Sequence, residues 1–459
     1  MPRFAGLGNC GAWQAGWLGA WWPMFDIREK PQVVERAFLI GAYFDRRKAA
    51  EAGELLEELK ELVGTLGIGV EVAELVYARE HTARHLIGKG KAQELMERAK
   101  RLGCDCIIFD NELSPAQQRA WEQEGGIAVI DRHEVILDIF HMRAQTREAR
   151  LQVELARLEY SIPRLTRMWG HLDRQGGSGG GAGGGAARGE GETQLEVDRR
   201  LTYKRLDKLK ADLEEVKKQR DTMRKERSRV PVPNAAIVGY TNAGKSSLLN
   251  RLTQASVLAE DKLFATLDTT TRRLELPDGQ ALLVTDTVGF IRNLPHDLVQ
   301  SFRATLEEAV LADFLIHVVD AAAPQALEHY QTTTKVLAEL GAGDKRVLLV
   351  FNKADLIDDT RQLELRRQFP DALFLSVRTG QGMDDLLHRL HDLMIDRVVR
   401  LDLRVPLGRM DVVALAHQEG KVLSEDYESG VAEIQCVVPR RLESRFAPFV
   451  RPAAKKAKA

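Results

Sequence analysis

The chain has 459 residues, 44% of them hydrophobic and 29% charged, and this length is too great for one hydrophobic core, so about three domains are expected. The 66 Lys and Arg residues nearly balance the 67 Asp and Glu residues, and the net charge of -1 excludes a polycation that binds nucleic acid indiscriminately. The four cysteines are too few and too scattered for a disulfide framework or a four-ligand zinc site, and they favour a reducing, cytoplasmic setting.

The first 23 residues are rich in Gly, Ala and Trp, and Arg3 is their only charge. A secretory signal peptide has a denser basic start and an uninterrupted apolar run. We expect residues 1–23 to be a disordered leader or the product of an upstream start, with Met24 as the working start.

Short apolar runs alternate with helical stretches between residues 24 and 140. Strands are predicted at 37–43, 70–76, 106–110 and 127–130, and helices at 49–66, 91–102 and 115–124. This alternation predicts a small parallel α/β domain.

Two later stretches repeat apolar residues at three- and four-residue steps, which is typical of a coiled-coil seam. The glycine-rich run at 176–185 separates them and cannot hold a helix, since each glycine costs about 1 kcal/mol relative to alanine. Residues 141–230 are therefore predicted to form an antiparallel helical hairpin with a flexible tip, and Pro163 to end or kink its first arm. The seam residues are Leu151, Leu155, Leu158, Ile162 and Leu165, then Leu195, Thr202, Leu206, Leu209, Leu213, Val216 and Met223.

Pro231 and Pro233 break the second arm and begin a new domain, predicted at 231–398. Five apolar runs alternate with helical patterns there, at 235–238, 281–285, 314–319, 346–351 and 372–375. Residues 399–450 are predicted to be a small C-terminal α/β element with strands at 412–415 and 433–438. Residues 451–459 are predicted to be a solvated basic tail.

The sequence GYTNAGKS directly follows the run at 235–238, which is the strand, loop and helix context that a P-loop requires. Its glycines let backbone N–H groups curl around a β-phosphate, Lys245 reaches the β- and γ-phosphates, and the Ser246 hydroxyl binds Mg²⁺. Taken alone, the pattern indicates a nucleotide and not which one. The predicted contacts are Gly239, Tyr240, Thr241, Asn242, Ala243, Gly244, Lys245, Ser246 and Ser247.

The sequence DTVG (286–289) follows the run at 281–285. Asp286 is predicted at a strand's carboxyl end, where it reaches Mg²⁺ through water, and Gly289 lets the loop close on the γ-phosphate. Without the P-loop, a strand followed by a turn would explain the segment equally well. The nucleotide contacts predicted here are Asp286, Thr287, Val288 and Gly289.

Phe290 stands where many GTPases carry a glutamine that positions water. An aromatic ring cannot orient the attacking water by hydrogen bonding, so we expect slow unaided turnover. A partner or a switch rearrangement is expected to complete the site.

Asn352, Lys353 and Asp355 follow the run at 346–351. The Asp355 carboxylate can accept two hydrogen bonds from guanine, and adenine offers neither donor there, which predicts GTP over ATP. Ser376, Val377 and Arg378 are the expected backbone contact to the guanine carbonyl, although this tripeptide is weak by itself.

The segment 261–272 lies where a first switch loop belongs, and the Thr266 hydroxyl is expected to join Mg²⁺ only when a γ-phosphate is present. Thr269, Thr270 and Thr271 are the alternatives. Lys245, Thr266 and Gly289 are the predicted catalytic residues. Asn242 either helps to hold K⁺ near the phosphates or only shapes the loop, and the two roles have equal weight.

With the hairpin ahead of them, these motifs resemble the HflX family of translational GTPases from Met24 onward. The resemblance implies binding to the large ribosomal subunit and its RNA, with the hairpin tip reaching towards the peptidyl-transferase centre. It also implies splitting or rescue of stalled ribosomes, notably under heat stress, with GTP hydrolysed to GDP and phosphate. Two departures are the Trp-rich leader and Glu190, where a proline is usual. The specific marks are IGKGK (87–91), Asp131-Arg132, RGEGETQLEVDRR (188–200), LFATLD (263–268) and DTVGFI (286–291).

Basic residues outnumber acidic ones on the second arm, and the candidate RNA contacts are Arg188, Arg199, Arg200 and Lys204. A solvated coiled-coil face with internal ion pairs is the alternative. We expect a cytoplasmic, partly ribosome-associated monomer that binds GTP and GDP. A GTP-clocked RNA-modifying or ribosome-assembly factor is the rival function, and a membrane switch lacks a lipid motif in this sequence.

Overall fold

The computed structural model describes residues 34–175, 187–227, 232–253, 263–264, 266–276, 280–293, 303–395, 398–428 and 430–451. The leader at 1–23, the glycine-rich run and all of the basic tail after Arg451 lie outside these residues. The chain divides into two compact units, one ending at Arg132 and one beginning at His133. No helix among the described residues combines the length and the apolarity needed to cross a bilayer.

The first unit is a parallel sheet of four strands in the order β2-β1-β3-β4, as the alternation of runs predicts. β1 and β3 are central and read as continuous apolar runs because both of their faces are buried, whereas exposure alternates along the edge strand β2. The strands are β1 (Arg36–Tyr43), β2 (Gly69–Tyr77), β3 (Cys106–Phe109) and β4 (Ala128–Asp131), and the helices are α1 (Ala49–Thr65), α2 (Lys89–Arg101) and α3 (Pro115–Gly125).

Asp131 and Arg132, one of the family marks, make structural contacts at the carboxyl end of this sheet. The Arg132 guanidinium is buried and lies 2.7 Å from the Asp110 carboxylate and 2.6 Å from that of Glu58. The Asp131 carboxylate accepts a hydrogen bond from the Leu113 N–H at 3.0 Å. Buried charges of this kind are tolerated only when they are paired.

The second unit begins in α4 (Arg132–Arg143) and continues into a helical hairpin of α5 (Arg147–Gln175) and α6 (Ala187–Arg227). Seven of the predicted seam residues meet: Leu155, Leu158, Leu206 and Leu209 form a buried cluster, against which Leu151, Ile162 and Leu213 pack. The side chains of Leu165, Leu195 and Met223 lie outside the described part of the chain, so their place in the seam stays a prediction. Of the two outcomes predicted for Pro163, an end of the arm is wrong, since the residue lies inside α5, and a kink stays a prediction. A helix can keep an internal proline because only one backbone hydrogen bond is lost and a bend relieves the clash.

The nucleotide-binding fold follows as a six-stranded sheet in the order β10-β9-β8-β5-β7-β6, parallel except for β6. Its core lies between the sheet and flanking helices, and β5 and β8 are buried at the centre. The strands are β5 (Asn234–Gly239), β6 (Thr270–Glu275), β7 (Ala281–Asp286), β8 (Phe314–Asp320), β9 (Arg346–Asn352) and β10 (Leu373–Phe374). The helices are α7 (Lys245–Thr253), α8 (Arg303–Leu311), α9 (Ala326–Glu339), α10 (Asp359–Gln368) and α11 (Met383–Ile395).

β6 corrects the predicted extent of the first switch loop. Residues 270–272 belong to this edge strand, where Thr270 pairs with Asp286. The sequence TTRRLE hides a strand because Leu274 is its only buried residue, and an exposed edge needs little apolar character.

The C-terminal element is an antiparallel sheet of β11 (Val398–Pro406), β12 (Lys421–Glu428) and β13 (Val431–Pro439) in the order β11-β13-β12. α12 (Met410–Glu419) and the short α13 (Glu443–Phe446) accompany it. The strand predicted at 433–438 is confirmed within β13, but the strand predicted at 412–415 is wrong, since it lies in α12. Val412, Val413 and Ala416 are buried at helical spacing, and the β-branched pair misled the short window.

Candidate nucleotide-binding site

The P-loop lies between β5 and α7, and two of its glycines are required by close backbone approach. Gly239 has φ 151°, and a Cβ added to it would lie 2.1 Å from the Val318 carbonyl oxygen. Gly244 has φ 93°, and its Cβ would lie 2.3 Å from the Asn352 side-chain nitrogen. Only glycine fits both positions, so the loop stays narrow enough for its N–H groups to face one anion.

The Lys245 ammonium is held inside the loop. Its Nζ donates to the Tyr240 carbonyl oxygen at 2.8 Å, and the residue is 6% exposed. Burial lowers the pKa of Lys245 to about 8, and the nearby Asp286 opposes that shift. An added phosphate would therefore meet a desolvated cation that it stabilises strongly.

Ser246, Thr266 and Asp286 converge beside this lysine. The hydroxyls of Ser246 and Thr266 are 2.7 Å apart, and Ser246 Oγ donates to Asp286 Oδ2 at 2.6 Å. Burial raises the pKa of Asp286, against the effect of Lys245. Its Oδ1 is buried without a hydrogen-bond partner among the described residues.

This oxygen cluster fits Mg²⁺ in its chemistry. Mg²⁺ prefers oxygen ligands and is usually bound by one or two protein groups together with substrate phosphates and water. The described residues contain no group of three or more His, Cys, Asp or Glu side chains that could hold a metal ion by themselves. The unpartnered Oδ1 of Asp286 is the atom that a metal-bound water would satisfy. Of the alternative threonines, Thr271 lies within the sheet, where its Oγ1 is 2.9 Å from Thr285 Oγ1.

The loop after β7 is joined to the P-loop by its backbone. The Thr241 N–H donates to the Phe290 carbonyl at 2.8 Å, and the Phe290 N–H donates to the Gly239 carbonyl at 3.1 Å. A Cβ on Gly289 would lie 2.9 Å from Lys245 Nζ, and the Phe290 ring is 1% exposed. The residue after Gly289 therefore presents a buried apolar ring, that of Phe290.

Thr287 and Val288 are buried in the same loop. Thr287 Oγ1 donates to the Ile237 carbonyl at 2.7 Å, which fixes the loop to β5. Val288 is 6% exposed. Ser247 lies in the first turn of α7 and is half-buried.

The segment after β9 contacts the P-loop and the turn after β10. Asn352 Nδ2 donates to the Ala243 carbonyl at 2.9 Å, and Asn352 Oδ1 accepts from the Val377 N–H at 3.2 Å. Lys353 adopts a left-handed φ of 62°, and its Nζ lies 2.7 Å from Asp320 Oδ2. Asn352 thus joins the P-loop to the turn after β10.

Asp355 stands at the rim of this pocket. A hydrogen bond from the buried Ser376 side chain, together with Arg378 and Lys353, lowers the pKa of Asp355. Arg378 Nε lies 3.6 Å from its carboxylate, but the Arg378 side chain is 81% exposed. The carboxylate is therefore kept ionised, in the form that accepts two N–H groups.

The basic residues of the second arm lie on α6, which precedes the P-loop along the chain. Arg200 and Lys204 are exposed, and nothing is described of the Arg188 and Arg199 side chains. Other basic residues of the arm pair with acidic ones: Arg205 with Glu154, Lys210 with Glu159 at 3.0 Å, and Arg220 with Glu148 at 2.8 Å.

Two sets of contacts around the site were not foreseen from the sequence. Tyr240 stacks on His329 at 3.8 Å with an interplanar angle of 8°, and its hydroxyl accepts from the Arg292 N–H at 2.8 Å. Asp268, which had been assigned only to the switch loop, binds the start of α5 through Thr146. A threonine just before a helix with an acid in its first turn is an N-cap signal, but it does not reveal a partner 122 residues away.

Comparisons with known proteins show what the chain is similar to. Three family models match: "GTP-binding GTPase N-terminal" at residues 53–141, "GTP-binding GTPase Middle Region" at 143–227 and "50S ribosome-binding GTPase" at 234–353. A GTPase HflX from Akkermansia muciniphila is 54% identical over 434 residues, which cover 93% of this chain and 99% of the relative. The GTPase HflX of Escherichia coli K12 is 42% identical over 410 residues, which cover 88% of this chain and 90% of the relative. A solved GTP-binding protein from Sulfolobus solfataricus in complex with GDP is 23% identical, with a TM-score of 0.41, over 78% of this chain and 98% of its own.

Proposed function

Because this chain belongs to the HflX family of GTPases and hydrolyses GTP, we propose that it binds the large ribosomal subunit and splits or rescues stalled ribosomes, notably under heat stress. It acts in the cytoplasm as a monomer, partly bound to ribosomes. One of the matching family models describes 50S ribosome-binding GTPases.

A single observation carries this proposal: the hairpin and the nucleotide site belong to one compact unit and are bonded to each other. Arg220 of α6 lies 2.7 Å from Glu307 of α8, and Asp268 of the switch loop accepts N–H groups from the start of α5. Exposed Arg200 and Lys204 on α6 suit an RNA backbone, because lysine and arginine neutralise phosphates. A GTP-dependent change at the site therefore has a direct route to an arm that suits RNA.

Hydrolysis is assigned to residues of this site in the following roles. The P-loop N–H groups and the Lys245 ammonium bind and orient the phosphates, which is most of what phosphoryl transfer needs from a protein. Mg²⁺, when bound, neutralises charge on the β- and γ-phosphate oxygens. We assign its protein ligands to Ser246 and Thr266, with Asp286 acting through water. Gly289 leaves room for the γ-phosphate beside Lys245.

Guanine selection is assigned to Asp355, which keeps its charge at the pocket rim. Ser376, Val377 and Arg378 supply backbone contact to the base carbonyl, and Asn352 and Lys353 hold the pocket in shape. Because a guanine-shaped site leaves a carboxylate unsatisfied by adenine, ATP is expected to bind poorly.

Completion of the site is assigned to a partner. Phe290 is buried and offers no hydrogen bond to water, so the free protein is expected to hydrolyse GTP slowly and ribosomal subunits to stimulate it. A high turnover by the purified protein alone contradicts this assignment.

Two roles for Asn242 are separated by one measurement. Its side chain is exposed and its φ is 58°, a conformation that asparagine tolerates better than most residues, which supports loop shaping. A K⁺-binding role predicts a slower rate when Na⁺ replaces K⁺ in the assay. An unchanged rate leaves only the shaping role.

The function is tested by sedimentation of large subunits and by splitting of intact ribosomes with GTP. The Arg200→Glu/Lys204→Glu variant is expected to lose both activities and to keep intrinsic hydrolysis. Its matched control is Lys335→Glu/Arg367→Glu, which makes the same charge change on exposed positions of α9 and α10. Equal loss in both variants, or no loss in the first, contradicts the proposal that the second arm binds RNA.

Deleting residues 176–187 is expected to impair splitting alone, and unchanged splitting removes the tip from the mechanism. Subunit binding without splitting favours the assembly-factor alternative.

A further inference from the structure

The carboxylate of Asp268 binds the start of the hairpin. Its Oδ2 accepts from the Gln145 N–H at 2.8 Å and the Thr146 N–H at 3.1 Å, and its Oδ1 lies 2.5 Å from Thr146 Oγ1. Thr146 Oγ1 also accepts from the Ala149 N–H at 3.2 Å, so its own proton is directed to Asp268. A carboxylate at the N-terminus of a helix is further favoured by the helix dipole.

A second contact holds the same loop on α4. The Phe264 ring packs edge-on against Phe140, with ring centroids 4.7 Å apart and an interplanar angle of 80°. Phe264 is 2% exposed and has a φ of 55°. A phenylalanine in this left-handed conformation is strained, and it persists only where its surroundings hold it.

Thr266 lies between these two contacts. Its hydroxyl is 2.7 Å from Ser246 Oγ, and the neighbouring Leu267 is 2% exposed. Two residues after Asp268 the chain enters β6, where Thr270 pairs with Asp286. The chain on either side of Thr266 is therefore held, by Phe264 on one side and by Asp268 on the other.

The far side of the same helical turn is fixed as well. Arg220, 20% exposed, lies 2.8 Å from Glu148 in the first turn of α5 and 2.7 Å from Glu307 of α8. Because Arg220 of α6 binds this turn and is itself paired with α8, and Asp268 binds the turn as well, the turn forms a defined support for the loop.

We propose that Asp268 is a positioning residue for GTP hydrolysis, through which the base of the hairpin holds the Thr266 hydroxyl at the metal and γ-phosphate. This rests on the role assigned to Thr266 under the proposed function. Binding free energies are linked reciprocally, so a γ-phosphate that draws in Thr266 strengthens the Asp268 contact with α5. An RNA that fixes the hairpin in turn favours the GTP-binding form of the loop.

The test is intrinsic hydrolysis by the full chain without ribosomes, which makes it independent of ribosome binding. Asp268→Ala is expected to lower kcat about tenfold, to leave GDP affinity within about twofold, and to raise the Mg²⁺ concentration needed for half-maximal rate. Asp268→Asn, which keeps an acceptor oxygen, is expected to recover part of kcat. Ser114→Ala is the matched control, because it removes the N-cap of α3 and leaves Asp268 intact.

A double-mutant cycle separates positioning from a general loss of structure. If Asp268 acts through Thr146, the Asp268→Ala/Thr146→Ala variant is expected to be no slower than Asp268→Ala alone. Amide hydrogen exchange at residues 145–150 is expected to slow when a non-hydrolysable GTP analogue replaces GDP, and this difference is expected to vanish in Asp268→Ala. Additive losses, or an exchange difference that survives the substitution, overturn the proposal.

Thr266→Ala supplies the reference. If it loses hydrolysis and Asp268→Ala does not, the positioning role fails and the role of Thr266 stands. If neither variant loses hydrolysis, the assignment of Thr266 itself fails. An equal loss of GDP and GTP affinity in Asp268→Ala also overturns the proposal, because GDP binding does not require Thr266.

Discussion

The carboxyl ends of the parallel strands present different chemistry in the four-stranded and the six-stranded sheet. In the first unit, Arg132 is surrounded by Asp110 and Glu58, and Asn111 bonds both the N–H and the carbonyl of Ala42. In the second unit, the buried Lys245 ammonium donates to the Tyr240 backbone carbonyl, and Asp286 Oδ1 is buried without a hydrogen-bond partner among the described residues. The same layered fold therefore yields one edge where a guanidinium lies between two carboxylates and one where an ammonium faces a backbone carbonyl, with room for an anion beside it. Function follows from the polar groups at the edge, not from the sheet.

The largest effect is expected from removing the buried Lys245 ammonium at the carboxyl end of the six-stranded sheet. Lys245→Ala is expected to weaken GTP binding by about a thousandfold or more, because a buried ammonium that faces phosphate has no substitute in the loop. Calorimetric titration measures it. Lys335→Ala on exposed α9 is the control and is expected to bind GTP normally.

Removing the Arg132 guanidinium from the carboxyl end of the four-stranded sheet tests stability rather than nucleotide binding. Arg132→Ala leaves two buried carboxylates facing each other and is expected to cost about 3–5 kcal/mol of unfolding free energy. Hydrogen exchange of β1 and β3 amides measures the loss, and GTP affinity is expected to stay within about twofold. Arg98→Ala removes a more exposed partner of Glu74 and is expected to cost less than about 1 kcal/mol. An equal loss of unfolding free energy in the two variants would show that the buried Arg132 ion pairs stabilise the fold no more than an exposed pair does.

The base pocket is a second open part of the same edge. Asp355→Asn is expected to weaken GTP about ten- to a hundredfold, because a charged acceptor of two N–H groups is lost, and to improve relative binding of xanthosine triphosphate. Competition between the two nucleotides measures the change. An unchanged preference would remove Asp355 from base recognition.

The smallest expected effect is a pH dependence of GTP affinity that arises from Lys245. Burial lowers the pKa of Lys245 to about 8, and a bound phosphate raises it again, so binding takes up a proton once the free lysine is neutral. GTP affinity is expected to fall about fourfold between pH 7 and pH 8.5. Calorimetry in two buffers of different ionisation enthalpy detects the proton uptake. No uptake at pH 8.5 would mean that the free lysine is still charged there.

Local patterns predicted much of this molecule. The alternation of apolar runs gave the strands of the first sheet, and the P-loop sequence fell between β5 and α7, because these features depend on neighbours along the chain. The HflX family was also identified from such local marks. The leucine seam located the hairpin for the same reason.

Features that depend on distant partners were missed. The edge strand β6 buries one side chain, so its sequence resembles a loop. Val412 and Val413 favour a strand locally, but packing against the C-terminal sheet selects a helix. Asp268 and Thr146 are 122 residues apart, and no short motif joins them.

The capped first turn of α5 is the end of that helix which Asp268 binds, so a small rotation there would displace the other end of the helix. The helix has 29 residues and is therefore about 43 Å long at 1.5 Å per residue. A tilt of about 5° at Thr146 moves its other end by about 4 Å, which is less than the rise of one helical turn, about 5.4 Å. A displacement of one side chain beside a phosphate can thus become a stroke large enough to disrupt contacts far from the nucleotide.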